Sequence, residues 1–406
     1  MAGTSTKHEE RLQRIRAAAA DYPTIALVLQ GGGALGAYQC GVYEGLAEAG
    51  VMPNWLAGIS IGAINAAIIA GNPAEERIPQ LRRFWEQVSQ PGEALAMPAT
   101  YIRSLLSAMP QTDFTHAWAA ALSAGAAMLN GQSGFFESRP ISPFLSLSGG
   151  EAATSFYDTS SLKLTLERCV DFDRINHKDS CRLTVGAAEV TTGNFRYFDS
   201  RKTRMTPEHI MASGALPPAF PAIEIDGVAY WDGGLISNTP LEYVLDLWPR
   251  EDTLALQVDL WSARGPMPTT MLEVLERQKD IQYSSRTRHG TDMVARTQHL
   301  RTALGDLIQR LPDRKVPDEL KDALAPWLDD RVFNIVHFIY QAKSHEENFK
   351  DYAFGRFAMH EHWESGLRDT RMTLEHPEFL KLPDRRKGYA VHDVHRMAEQ
   401  PQVKLV

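Results

Sequence analysis

The stretch Thr24-Ile-Ala-Leu-Val-Leu-Gln-Gly-Gly-Gly-Ala-Leu-Gly36, followed by Asn54-Trp-Leu-Ala-Gly-Ile-Ser-Ile-Gly62, decides the fold. Residues 24–29 are a short apolar run bounded by Pro23 and then glycines, the pattern of a strand buried on both faces. Residues 37–49 place Val42, Leu46 and Ala49 at helical spacing and stop at Gly50. Asn54–Ile59 reads as a second short strand. Ile61–Ala70 reads as a second helix, ended by Gly71-Asn72-Pro73. Strand, helix, strand, helix is the signature of a parallel sheet with helical crossovers, so the fold class is α/β.

Working outward, Met1–Asp21 mixes Lys7, Glu9, Glu10, Arg11, Arg14 and Arg16 with an alanine run, which predicts a solvated helical leader over residues 1–22 and no signal peptide. Glu75–Val88 is a charged helix. From 91 to 150 charge is sparse and Ala, Ser, Gly, Met and Phe dominate, the composition of an inserted, loosely helical lid. Within it Phe114, Trp118, Leu122 and Leu129 fall at near-helical spacing, which fits a buried amphipathic helix and, alternatively, apolar cover for a lipid. Arg182–Phe198 is β-rich around a Thr192-Gly193-Asn194 turn. Pro207–Ser213 is a short helix, and Thr253–Leu260 a further strand. Beyond about Gly265 strand-like runs vanish and helical spacing takes over, which predicts a separate helical region over 263–406 after a catalytic unit over 23–262.

Hydrophobic residues make up 44% and charged residues 23%, which excludes a disordered chain, a collagen-like fibre and a small disulfide scaffold. With 42 Lys+Arg against 50 Asp+Glu the net charge is −8, so the chain lacks the basic excess of a non-specific nucleic-acid binder. Cys40, Cys169 and Cys181 are odd in number, far apart and in no metal-ligand spacing, which points to a reducing, cytoplasmic setting. Neither Leu56–Gly71 nor Phe114–Phe136 has the roughly 20 apolar residues that a spanning helix needs, so any membrane contact is peripheral.

Three motifs carry chemistry. Gly58-Ile59-Ser60-Ile61-Gly62 lies at a strand-to-helix junction, where a tight turn holds a serine proud of the sheet and Gly58 and Gly62 let strand and helix approach. The N–H of Ile61 then sits at a helix start, which favours an anion. Gly31-Gly32-Gly33 follows the first strand. Read with Ala34-Leu35-Gly36 it also fits a dinucleotide fingerprint, but that motif wants an acidic ribose partner after the next strand, and no Asp or Glu lies between Val51 and Ala74. The other reading is a set of backbone N–H donors for an oxyanion. Asp232-Gly233-Gly234, after Val228-Ala229-Tyr230-Trp231, offers the base that a serine nucleophile needs, although an Asp-Gly turn is also common without function.

Gly31–Gly33, Gly58–Gly62 and Asp232–Gly234, in that order, resemble the patatin-like phospholipase family, as does Ala212-Ser-Gly-Ala-Leu-Pro-Pro-Ala-Phe-Pro221 upstream of the acid. The resemblance covers about Thr24 to Leu260, and residues after about Gly265 resemble the helical extension of a bacterial subset. It implies a three-layer α/β/α fold with a mostly parallel sheet and a lipid acyl hydrolase with a Ser–Asp dyad. Ser60 would be the nucleophile, Asp232 the base, and Gly31, Gly32, Gly33 and Ile61 the oxyanion hole. The implied substrate is a lipid or other acyl ester, with no metal or organic cofactor. One position departs: the family often has Arg where Leu35 stands, which removes a charge beside the oxyanion or a lipid phosphate.

Two rivals stand beside this reading. An α/β-hydrolase with a Ser-His-Asp triad would place several strands before its elbow, and here the elbow follows the second. A non-enzymatic module could keep the fold and dock lipid or a partner. His360-Glu361-His362 hints at metal, but a two-residue spacing puts the imidazoles on different helix faces. The sequence does not indicate an oligomeric state.

Overall fold

The computed structural model describes residues 2–90, 131–146, 149–311, 317–328, 330–341 and 350–397. The aromatic stripe at Phe114, Trp118, Leu122 and Leu129, and most of the expected lid, lie outside the described residues.

The leading helix α1 (Ala2–Ala20) is followed by β1 (Thr24–Leu29), α2 (Gly36–Ala49), β2 (Trp55–Gly58), α3 (Ile61–Ala70) and α4 (Ala74–Val88). These match the alternation expected from the sequence. Beyond the undescribed stretch come β3 (Gly131–Gln132), β4 (Phe136–Ser138) and β5 (Tyr157–Asp158), a small antiparallel sheet. Then follow α5 (Ser160–Cys169), β6 (Arg182–Glu189), β7 (Phe195–Asp199), α6 (Pro207–Ser213), β8 (Ile223–Ile225), β9 (Val228–Asp232), α7 (Leu241–Asp246) and β10 (Thr253–Asp259). The C-terminal part holds α8 (Met271–Arg310), β11 (Phe333–Ile339), α9 (Arg356–Thr373) and β12 (Tyr389–Asp393).

Among the described residues the main sheet runs β12-β11-β10-β1-β2-β6-β9-β8, with β7 also paired to β6. Every pair from β12 to β6 is parallel. The central strands are buried along nearly their whole length, as a sheet covered on both faces requires.

Two expectations are corrected. Residues after Gly265 are not only helical: β11 and β12 join the sheet beside β10. The run Phe333-Asn-Ile-Val-His-Phe-Ile339 escapes a sequence reading because two polar residues interrupt it. Both find partners in the core: the Asn334 Nδ2 donates to the Tyr22 hydroxyl at 2.9 Å and the Phe379 carbonyl at 2.8 Å, and His337 pairs with Asp259 at 2.8 Å. The leader is not wholly solvated either. Leu12, Ile15 and Ala19 form an apolar stripe, and Ile15 and Ala19 are buried against the main core.

Helix α9 lies on α2 at very short range. A Cβ built on Gly366 would sit 2.1 Å from the Tyr38 carbonyl oxygen, and one on Gly41 1.9 Å from that of Trp363, so neither position admits a side chain. Trp363 also donates its indole N–H to Glu44. Among the described residues no helix is long and apolar enough to cross a membrane.

The registers explain how two distant segments meet. Thr184 and Val185 of β6 pair with β2 and β7 at once, and Ala187 and Ala188 pair with β9 and β7 at once. A strand has two edges, so β2 and β9 share one edge of β6 and approach each other end to end. Gly58 faces Val185 and Asp232 faces Ala187. The chain leaving β2 therefore runs into the chain leaving β9 at the level of Gly186.

Candidate active site

Ser60 occupies the turn between β2 and α3 with φ 56° and ψ −125°, a backbone state that residues with a side chain rarely adopt. The surrounding contacts hold it there. Its N–H donates to both the carbonyl and the hydroxyl oxygen of Ser213, each at 3.1 Å, and the Ser213 hydroxyl donates onward to the Gly186 carbonyl at 2.7 Å. The flanking glycines are sterically required. A Cβ on Gly58 would lie 2.3 Å from the Gly62 carbonyl oxygen, and one on Gly62 2.3 Å from that of Leu29.

Asp232, at the end of β9, is 2% exposed. Its carboxylate accepts the Gly234 N–H at 2.7 Å and lines the same cavity as the Ser60 side chain. Burial pushes its pKa up from the ordinary 3.8 to about 6, while the nearby Ser60 side chain and the Gly234 N–H hold it lower than burial alone would. Gly233 passes the Gly186 carbonyl so closely that a Cβ there would lie 2.6 Å from its oxygen.

The glycine turn after β1 lies beside this pair. A Cβ on Gly31 would be 3.1 Å from the Ser60 Cβ. The Gly31 N–H departs from expectation: it donates to the Asn238 carbonyl at 3.4 Å and so faces away from any substrate. The N–H groups of Gly32, Gly33 and Ile61 have no acceptor among the described residues. The Ala34 N–H donates to the Asp351 carbonyl at 2.9 Å. Leu35 is fully buried, so this turn carries no charge into the site.

Ser60, Gly31–Gly33, Ile61, Asp232 and Gly234 all line one cavity, partly open to solvent. Its apolar wall is built from Ile64, Phe135, Phe136, Leu216, Phe220 and Phe354. Phe135 and Phe136 come from the described end of the expected lid, and Phe136 stands 5.2 Å from Phe220, ring to ring. Lys279 also lines the cavity and pairs with Asp351 at 2.8 Å. Among the described lining residues none is a histidine.

A family model described as patatin-like phospholipase matches residues 27–245, more than half of the chain. The chain belongs to the patatin-like phospholipase family. A second model, described as patatin phospholipase, matches residues 281–386. Mouse and human patatin-like phospholipase domain-containing protein 6 are 41% identical to it over 81 residues. That match spans 19% of this chain and 6% of theirs, so the chain corresponds to a small part of those relatives. VipD from Legionella pneumophila, a solved structure, aligns over 87% of this chain and 67% of its own at 14% identity and a TM-score of 0.37, a likeness that carries no argument here. The order and parallel pairing of the central strands make the fold α/β.

Within the patatin-like frame, the structure brings together Ser60, Asp232, the glycine turn and the N-terminus of α3. It does not bring in the histidine motif: His360 is exposed on α9 and His362 is buried beside the Ala34 carbonyl. Ser213, Asn238, Trp261, Lys279 and the 351–354 segment also meet at this site, outside the glycine, elbow and Asp-Gly-Gly motifs. Ser213 lies in the quoted Ala212–Pro221 segment, where its neighbours gave a hint. The others carry no local pattern.

Proposed function

We propose that the protein is a serine lipid acyl hydrolase working through a Ser60–Asp232 dyad. The observation that carries this is the meeting, in one cavity, of a serine on a strained elbow and a buried carboxylate whose pKa the serine side chain lowers. With no histidine among the described lining residues, the reading favours a dyad over a Ser-His-Asp triad.

In this scheme the Ser60 Oγ adds to the ester carbonyl carbon and its proton passes to Asp232. The oxygen that becomes negative is taken by the N–H groups of Gly32, Gly33 and Ile61, the last at the positive end of α3. Collapse breaks the ester C–O bond, and the departing alcohol oxygen receives the proton from Asp232. Water then adds to the acyl-enzyme while Asp232 accepts its proton. Expulsion of the Ser60 oxygen, reprotonated by Asp232, releases the carboxylic acid. A carboxyl group held near 6 suits this exchange, because it is ionised at neutral pH yet basic enough to take a proton.

The aromatic wall suits an acyl chain, which burial removes from water. Peripheral contact with a lipid surface belongs to the same reading, supported by exposed Ile141, Phe144 and Leu145 on the loop leading toward β5, whose Tyr157 lines the cavity. A cytoplasmic location is supported by three free cysteines.

The test is labelling with a fluorophosphonate together with turnover of p-nitrophenyl esters, lysophospholipids and phospholipids. The wild type should be labelled and hydrolyse at least one class, and Ser60→Ala should abolish both with an unchanged circular-dichroism spectrum. Labelling that persists in Ser60→Ala would move the nucleophile elsewhere.

A further inference from the structure

The Gly31 carbonyl receives two side-chain donors. Asn238 donates its Nδ2–H at 3.0 Å and Trp261 its indole N–H at 2.8 Å. Asn238 is 3% exposed and Trp261 4%, so both donors lie out of reach of water. A trans peptide unit is planar and points its C=O and N–H to opposite sides. Holding the Gly31 carbonyl therefore also sets the direction of the Gly32 N–H, the next donor along the turn. Glycines on both sides of that peptide leave its plane free to rotate, so nothing local to the turn chooses one orientation over the other.

We propose that Asn238 and Trp261 are positioning residues that lock the Gly31–Gly32 peptide plane and so aim the Gly32 N–H at the oxyanion. This rests on the acyl-hydrolase reading above. Rotating the plane would strand the Gly31 carbonyl and both buried donors at once, so the orientation is set before substrate arrives, which is what an oxyanion site requires.

The two clamping residues come from different places, and each is itself held. Asn238 lies six residues after Asp232, on the same turn, and its own carbonyl receives the Gly31 N–H. One turn thus delivers both the base and half of the clamp. Trp261 follows β10 and is braced by the C-terminal part of the chain. Its ring packs on Tyr283 with centroids 4.9 Å apart, and the Lys350 Nζ lies 5.5 Å from the ring centre. Lys350 is fixed by Glu276 at 3.0 Å and Asp280 at 2.7 Å, both on α8. The next residue, Asp351, accepts the Ala34 N–H and so holds the far end of the same turn. The region matched by the second family model thereby acts on the orientation of catalytic amides without contributing a reacting group.

The experiment compares the full-length wild type with Trp261→Phe, which keeps a ring and loses the donor, with Asn238→Ala, and with the double variant. Readouts are kcat and KM on p-nitrophenyl butyrate, the inhibition constant of a trifluoromethyl ketone, and the affinity for the alcohol product p-nitrophenol, which has no acyl oxygen. The ketone forms a tetrahedral adduct whose oxygen needs the same amides, whereas the product does not. Each single variant should lose about tenfold in kcat and the double about a hundredfold, below or at the loss seen when an oxyanion donor is removed outright. KM should stay within about twofold, ketone inhibition should weaken by the same factor as kcat/KM, and product affinity should hold. A double variant within about threefold of wild-type kcat overturns the clamp, as does product affinity falling in step with kcat, which would mean a collapsed pocket. A wild type that is neither labelled nor active overturns the acyl-hydrolase reading itself, and the clamp with it.

Discussion

Replacing Asp232 by Asn should have two effects of opposite sign, and their combination is specific to a buried base. The carboxyl group titrates near 3.8 in an unfolded chain and near 6 in the folded one. The folded state therefore holds this proton more tightly, and its carboxylate carries a burial penalty. At about 1.4 kcal/mol for each pH unit, the penalty amounts to about 3 kcal/mol once both states are ionised. The sign follows directly. Well below pH 3.8 the group is protonated in both states and contributes nothing. As pH rises from 4 through 6 the unfolded chain gains stability from ionising more easily, and above about 6 the full loss is present. The amide of Asp232→Asn does not titrate and can still accept the Gly234 N–H. The variant's stability relative to the wild type should thus rise by about 2 kcal/mol between pH 4.5 and 8, while turnover falls by about 10²–10⁴-fold because no proton acceptor remains. Urea denaturation followed by circular dichroism at several pH values, beside ester turnover, reads both. A stability difference that stays flat across that range, or a variant with normal turnover, would refute the argument that Asp232 is a buried, strained base.

The same ionisation should govern the wild-type rate: kcat/KM on a neutral ester should rise with pH through an apparent pKa of about 6 and level off above it, since only the carboxylate can accept the serine proton. Ser213→Ala removes the hydroxyl that joins the Ser60 N–H to the Gly186 carbonyl. It should cost about 1–3 kcal/mol in denaturant unfolding and lower kcat as the elbow loosens. Lys350→Met leaves Glu276 and Asp280 facing each other in a buried setting, with Arg277 at 3.9 Å from Asp280 as weak compensation. A loss of about 3 kcal/mol is expected by thermal melting, with Lys350→Arg keeping most of it.

The alternation of short apolar runs and helical spacing was enough to read β1, α2, β2 and α3, because each is a single local element whose period shows in a dozen residues. It failed where the buried strand carried polar residues. Asn334 and His337 made residues 333–339 read as anything but a core strand, and only their partners Tyr22, Phe379 and Asp259, from three remote segments, make the pattern intelligible. The leader shows the reverse error. Its charges suggested solvent on all sides, yet one apolar stripe is enough to dock it.

The site divides along the same line. Ser60, Asp232 and the glycines announce themselves because tight turns demand unusual residues, and those residues stand out in a sequence. Their juxtaposition comes from β6, whose one edge receives β2 and β9 in turn, a fact about registers rather than composition. Three consecutive glycines reveal that a peptide plane is free to turn, but not which way it turns. That choice belongs to the donors around it. Asn238 and Trp261 stand 207 and 230 residues from Gly31, in stretches with no pattern of their own. A glycine turn is thus half of an oxyanion site, and the half that decides its orientation is written elsewhere in the chain.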